Sequence, residues 1–344
     1  MAVTIYDVAK LAKVGIGTVS RAINNSSHIR PQTKKVVMEA IQELGYTPHA
    51  IAQGLARKKT GILAAIMPFY TGHFYHELLR GIMKSLSTFE YDLILYYVDR
   101  VEMKNNFLDR TLHERRCDGV LTFSMEISDE YAEKYINAKV PIVVVDRAHD
   151  KIDCIQVKND EGAYSATKHL IEMGHSRIVM ITGHNNSAPA RDRYQGFARA
   201  MRDAGLLIDA DSIISADGLD DPTILKQNDG FNERAGEMAM KKLLQRNKAE
   251  VTAIFAASDI LAIGAMKAIR EAGLSVPNDY SIIGFDDIEL ASYLSLTTMK
   301  QPMYEIGRMA VERIMEKLEN KESPARQVQL SPAIVVRKTT AKLV

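Results

Sequence analysis

The feature that most constrains the fold is the alternation, after Gly61, of short apolar runs with longer segments of helical periodicity. The apolar runs fall into two series: Ile62–Met67, Asp92–Tyr97, Gly119–Phe123 and Ile142–Val145, then Ile178–Ile181, Ser212–Ser215, Ala253–Phe255 and Ser281–Ile283. Helices are predicted between them at 74–89, 102–114 and 128–138, then at 161–173, 189–204, 232–245 and 260–272. Buried strands that alternate with helices indicate two doubly wound parallel-sheet α/β halves. The roughly 280 residues involved are too many for one core.

The first sixty residues have a different pattern, which predicts three short helices and a fourth, basic helix. Thr4 is placed to cap the first helix, and apolar residues follow it at helical spacing. Gly15 interrupts this pattern, and a second helix begins a few residues later, as in a helix-turn-helix. Pro31 suits the first turn of the third helix, and Gly45 suits its end.

The charge of this segment is concentrated. Nine lysines and arginines stand against three acidic residues, a net charge of +6, whereas the whole chain carries only +1. A basic head on a mildly acidic body is typical of a polyanion-binding module joined to a part that does not touch the polyanion. Four polar side chains are predicted to project from the second helix: Thr18, Ser20, Arg21 and Asn24.

Five motifs in this head have a recognisable spacing: Thr4-Ile5-Tyr6-Asp7-Val8-Ala9, Thr18-Val19-Ser20-Arg21, Asn24, Gly45-Tyr46-Thr47-Pro48 and Ala52-Gln53-Gly54-Leu55-Ala56. They resemble the N-terminal domain of the LacI/GalR family of bacterial transcription regulators, and the similarity extends over essentially the whole chain. The resemblance implies an all-α helix-turn-helix DNA-binding domain at 1–47, a hinge helix and linker at 48–60, and an effector-binding and dimerisation domain at 61–344.

The resemblance also implies that the second helix enters the major groove of double-stranded operator DNA, where each base pair presents a distinct pattern. The residues expected to face bases or nearby phosphates are Ile16, Gly17, Thr18, Ser20 and Arg21. Those expected to hold the DNA backbone are Thr4, Tyr6, Asn24, His28 and Tyr46, with packing of the small core as the alternative for the two tyrosines. Relatives have serine at the position of Gly15, so a side-chain cap is missing. Because Gly17 has no side chain, specificity there is expected from an Ile16 methyl contact or from DNA shape.

The hinge from Pro48 to Thr60 is expected to act as the switch. Residues 50–57 can form about two helical turns, and isolated helices below ~12–15 residues are marginal in water. The segment is therefore expected to fold only when it pairs with its twofold mate on DNA. The resemblance places Ala52 and Leu55 on the DNA, with Leu55 as a wedge that enters from the minor groove.

Polar residues follow the predicted strands of the body, at the edge where α/β sheets bind ligands. Carboxylates and arginines beside aromatic rings suit a polyhydroxylated ligand. The body resembles the sugar-sensing domain of the same family, which is similar to periplasmic sugar-binding proteins. Together these observations predict an effector site formed by Phe69, Phe74, Tyr75, Asp146, Arg147, Arg193, Ser258, Asp286 and Gln301. Asp259 and Asp287 are expected to support or cap.

The resemblance divides the body into two subdomains, at about 61–158 with 302–323 and 159–301 with 324–344. Family members that tetramerise carry a further C-terminal helical tail, so a homodimer on a pseudo-palindromic operator is expected. No stretch approaches ~20 uninterrupted apolar residues, which predicts no membrane span. The two cysteines have neither metal nor redox spacing and suit a cytoplasmic location. No cofactor, metal or catalytic residue is expected.

Three other functions agree less well with the sequence. An enzyme is disfavoured because the chain has no dinucleotide-binding glycine motif after the first strand, no phosphate loop and no Gly-x-Ser-x-Gly. An exported sugar-binding protein is disfavoured, because it is expected to begin with an apolar signal, whereas this sequence begins with the DNA-binding pattern. A catabolite-control regulator that binds a phosphorylated carrier protein is supported by the segment 301–307, but Glu312 stands where that branch uses an arginine. The favoured function is a ligand-controlled regulator, foremost a repressor responding to a sugar or related small molecule.

Overall fold

A computed structural model describes residues 3–24, 26, 28–47, 59–68, 73–98, 101–114, 116–246 and 251–343. The predicted hinge helix and its residues Ala52 and Leu55 lie outside these ranges. The described chain forms a three-helix head and a body of two α/β halves.

The head consists of α1 (Ile5–Leu11), α2 (Ile16–Ile23) and α3 (Pro31–Leu44). Its small core contains Val8, Ala9, Ala12, Val19, Ala22, Val37, Ala40 and Tyr46. The predicted helix ends are confirmed, since Thr4 and Gly15 occupy the first two N-cap positions and Pro31 begins α3. Gly45 ends α3 with a φ of 60°, a left-handed conformation that glycine adopts without strain.

The first half contains six strands, all parallel to their neighbours. They are β1 (Ile62–Met67), β2 (Asp92–Tyr97), β3 (Gly119–Phe123), β4 (Ile142–Val145), β5 (Asp153–Val157) and β11 (Gln327–Leu330), in the order β11-β5-β4-β3-β1-β2. The helices are α4 (His73–Phe89), α5 (Val101–His113), α6 (Asp129–Ala138) and α12 (Met303–Glu319). Helices α4 and α12 approach closely at Gly81, where an added Cβ would lie 2.0 Å from the Tyr304 carbonyl oxygen.

The second half repeats this plan with the strand order β12-β10-β9-β8-β6-β7. Its strands are β6 (Ile178–Thr182), β7 (Ile213–Ser215), β8 (Ala253–Ala256), β9 (Ser281–Asp286), β10 (Thr297–Lys300) and β12 (Ala333–Val335). Its helices are α7 (Asn159–Glu172), α8 (Ala188–Asp203), α9 (Glu233–Gln245), α10 (Asp259–Glu271) and α11 (Glu289–Tyr293). Buried apolar residues on both faces of each sheet explain the continuous apolar runs in the sequence.

The eight predicted strands are present, and the two predicted parallel-sheet halves are confirmed. The second sheet is parallel except at its edge, where β12 runs antiparallel to β10. One predicted boundary needs correction, since the segment 324–344 does not belong wholly to the second half: β11 pairs in parallel with β5 of the first sheet. Strands β5, β10, β11 and β12 were missed. The last two lie at sheet edges and are largely exposed, so they lack the apolar run that marks a central strand.

Candidate functional site

Helix α2 presents an open polar face on the head. Val19 and Ala22 point into the core, whereas Ile16, Gly17 and Arg21 are exposed. Thr18 and Ser20 are half-buried between the two faces. The residues predicted to meet bases therefore lie together on one accessible side of a short helix.

Glycines shape the start of this helix. Gly15 caps α2 without a side-chain hydrogen bond, as the sequence predicts. A Cβ added at Gly15 or Gly17 would meet nothing within 4 Å. The beginning of α2 is therefore open enough to approach another surface closely.

The residues predicted to hold the DNA backbone have different surroundings. Tyr6 is 67% exposed on α1, and His28 is also exposed. Tyr46 is only 9% exposed and packs in the core of the head, so packing is one of its roles. The Asn24 side-chain amide donates to the Ser20 carbonyl oxygen at 2.9 Å.

Thr4 is tied into the first helix of the head. Its backbone nitrogen and its Oγ1 both donate to Asp7 Oδ2, at 2.9 and 2.7 Å. These two hydrogen bonds hold the pKa of Asp7 below its usual value. The Thr4 hydroxyl proton is thus already donated to Asp7, and it can be donated to a phosphate only after this contact rearranges.

The first half contributes Asp146 to the cleft between the halves. Asp146 directly follows β4 and has a φ of 64°. The Tyr75 hydroxyl donates to Ser124 Oγ at 3.3 Å, and Ser124 Oγ donates to Asp146 Oδ2 at 3.0 Å. Arg147 Nη1 donates to the Asp146 carbonyl oxygen at 2.7 Å and lies 3.6 Å from Asp146 Oδ2.

The prediction that Tyr75 contributes its aromatic ring to the effector site needs correction. Its ring is buried in the core of the first half, because α4 directs it toward the sheet. Only its hydroxyl end belongs to the polar chain that leads to Asp146. Phe69 lies outside the described residues, as does the side chain of Phe74.

The second half contributes Arg193, which is only 4% exposed. Arg193 Nε donates to Asn159 Oδ1 at 2.9 Å, and Nη1 donates to the Ala257 carbonyl oxygen. Its guanidinium carbon lies 3.9 Å from the centre of the Phe285 ring. A buried arginine stacked and hydrogen-bonded in this way is held in one orientation.

Asp286, at the end of β9, is the charge partner of Arg193. Arg193 Nη1 lies 3.7 Å from Asp286 Oδ1, and Gln301 Nε2 donates to the same oxygen at 2.5 Å. Asp286 has a φ of 126°, which lies in the left-handed half of backbone space. Burial raises the pKa of Asp286 to about 7, although Arg193 opposes the shift.

Neighbouring polar residues support these side chains. Asp259 accepts from Thr298 Oγ1 at 2.5 Å and from the Ile288 nitrogen at 2.9 Å, and burial raises its pKa to about 6. Asp287 Oδ1 lies 2.6 Å from Arg337 Nη2. Both therefore have the predicted supporting role. Ser258 caps α10, because its Oγ accepts from the Leu261 nitrogen at 3.3 Å.

The two strand-end sets face each other across the cleft. Asp192 belongs to the second half, and its pKa is raised first by burial and then by Asp146 of the first half. Burial raises the pKa of Asp229, also in the second half, and the nearby charges of His184 and of Arg147 from the first half oppose the shift. A ligand between the halves would therefore contact charged groups of both.

The sequence did not single out four residues of this arrangement: Ser124, Asn159, Phe231 and Phe285. Ser124 follows β3, so the same strand-end rule would have found it. Asn159 follows β5, which was missed as a strand. The two phenylalanines lie within 6 Å of the Arg193 guanidinium and read as ordinary core residues in the sequence.

Among the described residues, no group of three or more His, Cys, Asp or Glu is arranged to hold a metal ion. Cys117 and Cys154 are buried free thiols in the first half. None of the helices in the described ranges has the length and apolar character that crossing a membrane requires.

Two protein families match the sequence. Residues 4–49 match the family described as bacterial regulatory proteins, lacI family, and residues 167–340 match the periplasmic binding protein-like domain. The HTH-type transcriptional repressor PurR of Aliivibrio salmonicida is 34% identical over 345 residues, 99% of each chain.

Solved structures agree over the full length. The lac repressor dimer bound to operator and the anti-inducer ONPF superimposes with a TM-score of 0.84 at 28% identity, over 99% of this chain and 100% of that one. The complex of the transcriptional regulator CelR with cellobiose gives a TM-score of 0.71 at 28% identity, over 98% and 99%. Each of these structures aligns with the head and the body together, so the same two parts are combined in one chain there.

Proposed function

The chain belongs to the lacI family of bacterial regulatory proteins, whose members are ligand-responsive transcriptional repressors, and we propose that a sugar or related small molecule in its cleft controls how tightly the head holds operator DNA. The observation that carries this proposal is the set Asp146, Arg193, Asp286 and Gln301, which line the two sides of one cleft. The same chain presents the open face of α2 on a basic head.

The chemistry of the cleft supports a polyhydroxylated effector. Carboxylates accept hydrogen bonds from hydroxyl groups, and an arginine fork donates to them. Arg193 is buried and fixed by Asn159 and Phe285, so little side-chain entropy remains to be lost when a ligand binds. Cellobiose in the related CelR structure agrees with this class of ligand.

A phosphorylated carrier protein is not favoured as the effector. Arg308 is the cation that α12 presents beside Glu312, and it is already paired on both sides. Its Nε lies 2.9 Å from Glu305 Oε2, and its Nη1 contacts Glu312. A phosphoryl group would have to displace both carboxylates, which costs binding energy.

We propose that the protein acts as a homodimer in the cytoplasm on a pseudo-palindromic operator. Large apolar side chains are exposed in both halves of the described body: Met83, Leu95 and Tyr97 in the first, and Leu290, Tyr293 and Leu294 in the second. Tyr293 is 76% exposed. Exposed apolar patches mark interaction surfaces, and a twofold dimer buries the same patch on each copy.

Selection from a random pool of DNA duplexes tests the DNA-binding role. The full chain is expected to enrich two inverted half-sites, because a twofold dimer presents two copies of α2. Affinity for the enriched duplex should fall steeply between ~50 and ~200 mM salt, since the basic heads displace condensed counterions. No enrichment, or no salt dependence, would contradict the proposal.

A thermal-shift screen of neutral mono- and disaccharides tests the cleft. A true effector should raise the melting temperature of the wild-type protein and change its affinity for the enriched duplex. The Arg193→Lys variant is the matched control, because it keeps the charge and loses the fork. A sugar that stabilises both proteins equally would place the binding site elsewhere.

A further inference from the structure

The chain enters the body from the head through Thr60 and Gly61, directly before β1. Asp118, directly before β3, binds both residues. The Thr60 nitrogen donates to Asp118 Oδ1 at 2.7 Å, and the Gly61 nitrogen donates to Asp118 Oδ2 at 3.0 Å. Each carboxylate oxygen therefore holds one backbone amide of the linker.

Two further hydrogen bonds stabilise this contact between the linker and Asp118. The Tyr91 hydroxyl donates to Asp118 Oδ2 at 3.0 Å. Burial is the main cause of the raised pKa of Tyr91, and the negative charge of Asp118 adds to it. The Ile62 nitrogen donates to Thr60 Oγ1 at 3.2 Å, which turns the linker into the first strand. Gly61 has a φ of 70°, where a residue with a side chain would be strained.

Asp118 is bound by neutral donors, as Asp259 is in the second half. Within the described ranges, no lysine or arginine forms an ion pair with Asp118, and the groups that donate hydrogen bonds to it are two linker amides and one phenol. Hydrogen bonds from backbone amides to a carboxylate are roughly twice as strong as those between neutral groups. The charge of Asp118 is therefore directed at the point where the head is attached.

The corresponding place in the second half has no such charge. There, Thr252 precedes β8, and its Oγ1 lies 2.8 Å from Nδ1 of His175, which lies shortly before β6. Burial lowers the pKa of His175, so the pair is neutral. The half that carries the head uses a carboxylate, and the half that does not uses a neutral contact.

We propose that Asp118 is a positioning residue for DNA binding: it fixes the linker to the first half, so that a movement of that half moves the head. This inference rests on the proposed function. A tether held only by chain connectivity would let the head reorient freely, and the cost of ordering it would weaken DNA binding. Asp118 does not touch DNA and acts only through residues 60 and 61.

Asp118→Asn tests the proposal, because an amide keeps the shape and replaces one acceptor oxygen by a donor. The variant should bind the enriched duplex about tenfold more weakly. Its affinity for an effector found by the sugar screen should be unchanged, since the cleft lies at the opposite ends of the strands. The amides of Thr60 and Gly61 should exchange faster than in the wild-type protein.

Tyr91→Phe is the control, because it removes the third hydrogen bond and leaves both linker amides bound. It should lower the stability of the first half without changing affinity for DNA. Asp118→Glu separates charge from geometry and should recover part of the affinity. DNA binding that is weaker in Asp118→Asn than in Tyr91→Phe supports the proposal that Asp118 fixes the linker to the first half.

Equal DNA affinity of the wild-type and Asp118→Asn proteins, each measured while fully folded, would overturn the inference. If the wild-type protein enriches no duplex, the proposed function itself fails. Amide exchange at Thr60 and Gly61 then decides on its own whether Asp118 holds the linker, and unchanged exchange would overturn that as well.

Discussion

The two halves of the body share a strand order and differ in how they use the ends of their strands. β4 of the first half and β9 of the second occupy the same place in their sheets. Each ends at an aspartate with positive φ, Asp146 and Asp286. Each aspartate accepts a hydrogen bond from a neighbouring polar side chain, Ser124 or Gln301.

The two aspartates are about equally buried, and burial distinguishes the arginines beside them: the Arg193 side chain is 5% exposed and that of Arg147 is 21% exposed. Arg193 approaches Asp286 from the interior and stacks on Phe285, whereas Arg147 approaches Asp146 from the partly exposed side. At the opposite ends of the strands, only the first half fastens the linker to the head with a carboxylate. Under the proposed function, we expect the second half to hold the ligand in a fixed orientation, and the first half to close the cleft and to carry the head.

Replacing Arg193 or Arg147 by alanine should lower the free energy of unfolding by very different amounts, and this is the largest contrast expected between the halves. Arg193→Ala leaves Asp286 without its cation in a buried site, and breaking such a pair costs ~3–5 kcal/mol in the free energy of unfolding. Arg147→Ala removes a partly exposed pair and should cost less than ~1 kcal/mol. Urea unfolding followed by circular dichroism measures both, and equal losses would break the distinction between the halves.

Reading of DNA bases by the head, which the first half carries, is tested by a substitution on α2. Arg21→Ala should weaken binding to the enriched duplex by ~1–3 kcal/mol and relax specificity at one base pair in each half-site. The reason is that Arg21 lies on the open face of α2. Competition between enriched and random duplexes measures it, and an unchanged preference would show that α2 does not read the DNA.

The pKa of Asp286 gives a pH-dependent prediction. Because its folded-state pKa is raised above the unfolded value, the ionised carboxylate costs stability, and this cost is fully present above about pH 7 and shrinks as the pH falls from there toward the unfolded pKa of ~4. Asp286→Asn removes the cost. The free energy of unfolding of the variant, relative to wild type, should therefore rise by about 1 kcal/mol between pH 6 and pH 8. A difference that is constant with pH would contradict the burial of this charge.

The smallest predicted effect concerns the helix caps. Helices α6, α8, α9 and α10 of the body begin with a side-chain cap, whereas Gly15 caps α2 without one. Gly15→Ser should raise the free energy of unfolding of the head by roughly a few tenths of a kcal/mol. Gly45→Ser is the control, and it should destabilise the head because Gly45 has a left-handed backbone. Thermal unfolding of the head distinguishes the two.

Most of the fold followed from the sequence, because central parallel strands are apolar on both faces and stand out as continuous runs. Edge strand β11, with the sequence QVQL, alternates in burial and could not be assigned to a half from its pattern. Its place depends on pairing with β5, a contact between residues more than 170 positions apart. Long-range pairing of this kind leaves no local signal.

The strand-end rule found Asp146, Asp286 and the supporting aspartates, because parallel strands bring their carboxyl ends to one edge. It did not show that Tyr75 is buried or that Ser258 serves as a cap, since both depend on side-chain direction. The role of Asp118 was also hidden. An aspartate before a strand reads as an ordinary turn residue until its partners, Thr60 and Gly61, are known.

We expect the cleft and the head to be coupled through the first half. Coupling in binding is reciprocal, so a ligand that changes DNA affinity by some factor must have its own affinity changed by DNA in the same proportion. The direct measurement is calorimetry of the effector with and without the enriched duplex, beside DNA binding with and without the effector. We predict equal factors of about 5 to 150. An effector affinity that is the same with and without DNA would show that the cleft and the head are not coupled.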